Sequence, residues 1–131
     1  IEECKHRYPS VEIILNSECN PFIIGNEGAL RQLVENVVRN AVESMDSSGK
    51  IEVNLSDLEG RLKIDFKDYG KGFSDEMLKK GFEPFATSRT NGTGLGLAVV
   101  KQVASSHGGT AELLNNSGGI VRVILNRSGE F

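Results

Sequence analysis

The residues with the plainest chemical purpose lie in 87–97, TSRTNGTGLGL. There Gly92, Gly94 and Gly96 alternate behind a polar loop and stand directly before the helix-like run AVVKQVASSH. Glycines at such a place let the backbone approach a ligand closely where a helix begins. The first amides of a helix lack intrahelical partners, and the helix dipole favours negative charge beside them, so this is a place for phosphate. Taken alone, the loop reads equally well as a flexible turn. Two other phosphate loops are excluded. A GxGxxG dinucleotide fingerprint needs a buried strand before it and a third glycine, but the preceding residues are polar and the third position is Val99. A P-loop needs Lys followed by Ser or Thr after its last glycine, and Leu97-Ala98 stands there instead.

Two further polar sets stand upstream. Asn36, Arg39, Asn40 and Glu43 recur at helical spacing and form a polar stripe beside an apolar one. For Glu43 a solvated face explains the position as well as function does. Asparagine is a poor helix former, so Asn36 and Asn40 in mid-helix cost propensity without a structural return. An amide oxygen offered from a rigid helix suits a hard cation such as Mg²⁺. Asp68 ends an apolar alternating run and is followed by Gly70 and Gly72. That arrangement presents one acceptor at the floor of a pocket while the backbone turns away, although an ordinary DxG turn has the same composition.

The elements that must carry these residues follow from periodicity. Residues 11–15 are β-branched and apolar, which predicts a strand, and Phe22-Ile23-Ile24 form a second short run. Asn26 is placed to cap a helix over about 27–45, in which Leu30, Leu33, Val34, Val37, Val38, Ala41 and Val42 make a broad apolar stripe. The runs IEVNLS and LKIDFK alternate and predict a hairpin with Ile51, Val53, Leu55, Leu62, Ile64 and Phe66 facing inward. Ser74 can cap a short helix over 75–80 that meets Gly81. Phe82-Glu83-Pro84-Phe85 then form a rigid elbow before residues 86–93, whose small polar composition suits a lid over a ligand. A helix over 95–107 stops at Gly108-Gly109, and His107 reads as a helix-end residue rather than a catalytic one. Strands at 110–114 and 120–125, joined by NNSGG, make a last hairpin.

Composition bounds the rest. With 131 residues, of which 38% are hydrophobic, the chain is one domain's worth with a core of ordinary size. The net charge of -3 argues against nucleic acid or an anionic membrane as the main partner. No apolar run approaches the roughly 18 to 20 residues that span a bilayer, and the start lacks a signal peptide's apolar stretch, so a cytoplasmic location is expected. Cys4 and Cys19 lack a CxxC spacing and a histidine constellation, so neither a metal site nor a disulfide is expected. Residues 1–9 read as a polar linker in which His6 is solvated. A start without Met on a charged segment points to an excised domain.

With these pieces in order, the sequence resembles the ATP-binding catalytic domain of bacterial two-component sensor histidine kinases. That domain belongs to the superfamily shared with type II topoisomerases, Hsp90 and the MutL mismatch-repair proteins. The likeness covers about 11–125. Asn36-Val37-Val38-Arg39-Asn40-Ala41 matches the N box, DYGKG from Asp68 the DxGxG box, Phe82-Glu83-Pro84-Phe85 the F box and GTGLGL from Gly92 the last box.

The resemblance implies an α/β fold, a two-layer α+β sandwich of the Bergerat type. Its mixed, largely antiparallel sheet has about five strands and is backed by about three helices. It also implies that Asn40 holds Mg²⁺ with Asn36 lining the same site, and that Asp68 accepts from the adenine amino group. Gly70 and Gly72 would shape the adenine slot. Gly92, Gly94 and Gly96 would surround the phosphates, with Thr93 and Leu95 beside the nucleotide. The Arg39-Asn40-Ala41 and Thr87-Ser88-Arg89 triplets resemble the nitrogen-regulation and PAS-linked branch, where a basic residue at each place can meet phosphate oxygens; Thr87 joins the nucleotide set, and Arg89 joins Asn36, Arg39 and Asn40 in the catalytic one. Residues 1–9 would then be the remnant of a linker from a preceding dimerisation and phosphoacceptor domain, and 10–131 the ATP-binding catalytic domain.

The implied function is transfer of the γ-phosphoryl group of Mg-ATP to a histidine on that separate domain of the same parent protein, for relay to a response regulator receiver domain. An ATPase or ATP-driven clamp, or a regulatory nucleotide-binding module, is the alternative. Hydrolytic members use a glutamate one turn before the Mg²⁺ asparagine. Here that position is Asn36, which cannot act as a general base, and Glu35 lies about 100° around the helix. The sequence departs from the family pattern at Tyr69, at Gly119, where threonine is frequent, and at Gly81, where the missing aliphatic side chain is expected to loosen the anchor of the lid.

Overall fold

The alternating runs in the middle of the chain pair because period-two apolar residues need one buried face. β2 (Gly49–Leu58) and β3 (Arg61–Asp68) are antiparallel, with Val53 opposite Phe66 and Leu55 opposite Ile64. Ile51, Val53, Leu62 and Phe66 are buried on the shared face, with Leu55 and Ile64 partly buried beside them. β1 (Val11–Ser17) joins β2 in parallel. The hairpin of β4 (Thr110–Asn115) and β5 (Gly119–Leu125) adds to the other side, β5 lying antiparallel to β3. The sheet order is β1-β2-β3-β5-β4, mixed and largely antiparallel as the resemblance implied. This computed structural model describes residues 9–18, 25–45, 49–83 and 96–127. Residues 1–8 of the expected linker 1–9, with Cys4 and His6, lie outside the described residues, as do Cys19, the run 22–24, the expected lid 86–93 and Thr87, Arg89, Gly92, Thr93, Gly94 and Leu95.

Among the described residues three helices accompany the sheet: α1 (Glu27–Ser44), α2 (Asp75–Lys80) and α3 (Gly96–Ser106). α1 starts where Asn26 Oδ1 accepts from the Ala29 N–H at 2.9 Å, and α2 starts where Ser74 Oγ accepts from the Met77 N–H at 3.2 Å. The apolar stripe of α1 buries Leu33, Val37, Val38, Ala41 and Val42, and α3 buries Leu97, Val100, Val103 and Ala104. Together with the inner face of the sheet they make one core, each large side chain contributing about 1.5–3 kcal/mol on burial. The opposite face of the sheet is polar. There Arg122 reaches Asp65 at 2.9 Å on one neighbouring strand and Glu112 at 3.6 Å on the other. The hydrogen bond to Asp65 holds the guanidinium above its ordinary range.

His107 ties the two long helices together. It is 3% exposed. Nδ1 lies 2.8 Å from the Val103 carbonyl, which can only accept, while Nε2 accepts from the Asn26 N–H at 3.1 Å. The neutral Nδ1–H tautomer satisfies both, so the ring joins the last turn of α3 to the first of α1. Removing it strands the Asn26 amide and leaves a void. His107→Ala is therefore expected to lower the unfolding free energy by about 2 kcal/mol, read from the urea midpoint; an unchanged midpoint would remove this staple from the account.

Candidate functional site

β3 delivers Asp68 at its last position. The register Lys67↔Ile120, continued by one residue, sets Asp68 opposite Gly119 on the core side of the sheet. Asp68 is 6% exposed, and its Oδ1 accepts from the Gly70 N–H at 2.8 Å and the Gly119 N–H at 3.2 Å. Among the described residues Oδ2 has no donor. A buried carboxylate oxygen without a partner costs free energy unless a ligand supplies a donor.

The chain around Asp68 is folded closely about the carboxylate. Gly72 has φ +79°, a conformation that side chains with a Cβ rarely adopt, and it turns the backbone away after the strand. Gly118 lies against the same strand end so tightly that a Cβ there would stand 2.1 Å from the Asp68 carbonyl oxygen. Asn115 clips the loop from outside: its Oδ1 accepts from the Phe73 N–H at 2.8 Å and its Nδ2 donates to the Phe73 carbonyl at 2.7 Å. The sequence reading did not single out Asn115, Gly118 or Phe73. The SGG run of 117–119 was the available signal; the sequence marks only Gly119 in it, as a departure from the family pattern, and otherwise reads the run as a hairpin connection.

α1 carries the polar stripe past this pocket. Asn36 is 6% exposed, Asn40 is half-buried and Arg39 is exposed. Arg39 Nη2 donates to Asn36 Oδ1. Gly96, the first residue of α3, faces Asn36, with a Cβ built there standing 4.0 Å from Asn36 Oδ1. Eight residues on, Ser44 touches the Asp68 loop: a Cβ on Gly70 would lie 2.7 Å from Ser44 Oγ. The stripe Asn36–Asn40–Ser44 thus runs from the N-terminus of α3 to the Asp68 pocket, about 12 Å along the helix. An elongated ligand could lie along it, with a hydrogen-bond donor at the Asp68 end and negative charge at the α3 end. Asn36, Arg39, Asn40, Asp68, Gly70, Gly72 and Gly96 are the sequence-derived candidates that the described residues contain.

The positions that depart from the family pattern have distinct surroundings. Gly81 is buried, and a Cβ there would meet Leu113 Cδ1 at 2.5 Å and the Met77 carbonyl oxygen at 2.6 Å. The expected slack at this position is therefore absent: the segment is packed so closely that a larger residue does not fit. Phe82 follows, packed against the core with Lys101 Nζ of α3 5.8 Å from its ring centre. Pro84 and Phe85 lie outside the described residues. Tyr69 turns to the polar face of the sheet, away from Asp68. Its hydroxyl donates to Glu52 Oε1 at 2.5 Å, and its ring is flanked by Lys50 Nζ at 4.6 Å and Lys67 Nζ at 5.1 Å. That hydrogen bond lowers the Glu52 pKa and raises that of Tyr69.

Among the described residues no three His, Cys, Asp or Glu side chains converge to hold a metal ion. A hard cation here would instead meet amide oxygens of α1 and complete its shell with ligand oxygens, the habit of Mg²⁺ at phosphate sites. Asn36 Oδ1 is already engaged by Arg39, whereas the Asn40 amide has no partner among the described residues.

Comparison with known proteins places this geometry in context. The family described as histidine kinase-, DNA gyrase B-, and HSP90-like ATPase matches residues 25–128. Sporulation kinase D of Bacillus subtilis (strain 168) is 40% identical over 84 residues, which are 64% of this chain and 17% of that protein. The chain therefore spans under a fifth of that relative's length. A mycobacterial sensor histidine kinase, MprB, superposes with a TM-score of 0.82 at 29% identity, covering 95% of this chain and 87% of that one. Histidine kinase ThkA, solved in complex with the response regulator protein TrrA, shares the fold with a TM-score of 0.77 at 21% identity, covering 98% of this chain and 37% of that one.

The Tyr69–Glu52 contact gives a direct test of the local geometry. Because the Tyr69 hydroxyl is the first cause of the lowered Glu52 pKa, Tyr69→Phe should return that pKa towards the ordinary carboxylate value. A carboxyl-carbon NMR titration reads it. The sign follows from linkage: a depressed folded-state pKa adds stability above the unfolded value, and that stability is lost as pH falls through the folded one. The variant should therefore lose stability at neutral pH relative to the parent and converge with it in acid.

Proposed function

The chain belongs to the histidine kinase-, DNA gyrase B-, and HSP90-like ATPase family, and on that premise we propose that it binds Mg-ATP as the catalytic domain of a sensor histidine kinase. Its γ-phosphoryl acceptor is a histidine on a separate dimerisation domain of the same parent protein, and a response regulator receiver domain takes the group onward. The observation that carries this reading is Asp68. Its Oδ1 is locked by two backbone amides while Oδ2 faces no donor among the described residues, which suits acceptance from the adenine amino group.

The remaining roles follow from position along α1. Asn40, assisted by Asn36, would hold Mg²⁺ through amide oxygen. Bound there, Mg²⁺ supplies neutralisation of phosphate charge. Arg39, released from Asn36, and Arg89 reach phosphate oxygens. The α3 N-terminus at Gly96 supplies outward amides to the same charge. Thr87, Gly92, Thr93, Gly94 and Leu95 contact the nucleotide in this reading, and Gly70 and Gly72 shape the base slot. Phosphoryl transfer asks for positioning and charge neutralisation more than for covalent help.

Asn36 also bears on the acceptor. An amide cannot take a proton from water at neutral pH, so nothing at that position of α1 activates water, which favours transfer over hydrolysis. Residues 10–131 are the catalytic domain in this reading and 1–9 a linker towards the histidine-bearing domain. The described helices include none long and apolar enough to cross a membrane, and the domain works in the cytoplasm, where ATP and receiver domains reside.

Calorimetric titration with ATP, with and without Mg²⁺, followed by a phosphate-release assay on the same sample, tests the reading. Saturable binding with negligible release is expected, and sustained release would favour an ATPase. Asp68→Asn should weaken ATP binding by at least about 100-fold while the fold persists, because it turns a pure acceptor into a group that can oppose the amine with its own N–H. Asn40→Ala should keep the fold and abolish Mg²⁺-dependent transfer to a histidine domain supplied in trans. Wild-type transfer by that variant would rule out the metal role.

A further inference from the structure

Gly119 faces Asp68 across the β3–β5 pair, so a side chain at 119 would stand directly beside the carboxylate. The volume is filled from another direction. A Cβ built on Gly119 would lie 2.9 Å from Phe73 Cε2, 3.3 Å from Phe73 Cζ and 3.1 Å from Asp68 Oδ2. The edge of the Phe73 ring therefore occupies the place that a residue-119 side chain would take. The ring is held there: the backbone N–H and carbonyl of Phe73 are both bound by the Asn115 amide, and the side chain packs against the core.

We propose that Phe73, admitted by the missing side chain at Gly119, is a specificity-determining wall of the base pocket. It makes Asp68 Oδ2 discriminate a purine carrying an amine from one carrying a carbonyl at the same ring position. This inference rests on the ATP reading above. The edge of an aromatic ring bears the positive end of its quadrupole, so it tolerates a neighbouring carboxylate, yet it donates no conventional hydrogen bond. A hydroxyl at 119 would give Oδ2 a donor and could rotate to suit either base. With a ring edge there, the base amine is the group that satisfies Oδ2. A carbonyl would set two acceptors face to face beside a carboxylate that is 6% exposed. Leaving a buried polar group unpaired is the strongest source of discrimination available to a binding pocket.

The test measures ATP and ITP affinities by calorimetry for the chain itself and for Phe73→Leu, Gly119→Ala and the double variant. Each single change should lower ATP affinity about tenfold and narrow the ATP-over-ITP ratio by a similar factor, because each removes or displaces the ring edge and so admits water, a donor to Oδ2 that serves either base. The double variant should lose no more than the larger single one, since both act on one wall. General destabilisation weakens both nucleotides alike and leaves the ratio unmoved, so the ratio separates a wall from a structural support. If Phe73→Leu folds poorly, Gly119→Ala carries the same test. A ratio unchanged in a chain that still binds ATP overturns this proposal alone; failure of the parent chain to bind ATP overturns the ATP reading, and this proposal with it.

Discussion

The arrangement depends on how one carboxylate is held. Asp68 Oδ1 takes N–H groups from Gly70, just after β3, and from Gly119, the first residue of β5. A buried anion needs such donors, and backbone amides supply them without side-chain freedom to lose. Meeting that need fixes two things at once. The loop after β3 must turn back sharply, and the β4–β5 turn must press against the strand end, where Gly118 leaves no room for a Cβ. Asn115 then binds both backbone polar groups of Phe73, tying the same loop to the same turn. The carboxylate therefore sits where two chain reversals meet.

α1 gives the site its length. One side of the helix buries valines and leucine in the core, which holds its axis in place, and the adjoining side carries Asn36, Asn40 and Ser44 past the pocket. A rigid helix keeps such spacing fixed, so groups at its two ends stay in register with the Asp68 loop and with the start of α3. His107 adds a tie between α1 and α3 at the far end from the Asp68 loop, where its ring nitrogens serve a helix start and a helix end together. Stability and site geometry thus draw on the same two helices. A change that shifts α1 by a fraction of a turn moves the polar stripe with it.

The two faces of the sheet divide the work. Phe66 and Asp68 point to the core side, whereas Glu52, Lys67 and the Tyr69 ring lie on the polar side. Tyr69 follows Asp68 directly in the chain yet takes no part in the pocket, because the strand's alternation and the turn after it send the two side chains to opposite faces. Gly81 shows the reverse case, a residue whose missing side chain looked like slack and is instead required by the close approach of the Met77 carbonyl oxygen.

Much of this was legible in the sequence. Period-two alternation in IEVNL and LKIDF, the apolar stripe of 27–45 and the capping residues Asn26 and Ser74 determined the elements, because local periodicity and capping act within a few residues. The ordered boxes around Asn36, Asp68 and Gly96 named the candidate site. What the sequence could not supply is which surfaces meet across long separations. The pairing of β5 with β3 rather than with β1 sets Gly119 beside Asp68, and no local pattern encodes the choice of neighbour in a sheet. The same holds for the ring edge of Phe73 filling the place of an absent side chain, for Arg39 engaging Asn36, and for His107 reaching Asn26. Each depends on side chains that tertiary packing alone brings together, whereas residue types and spacing determine only what each could do once there.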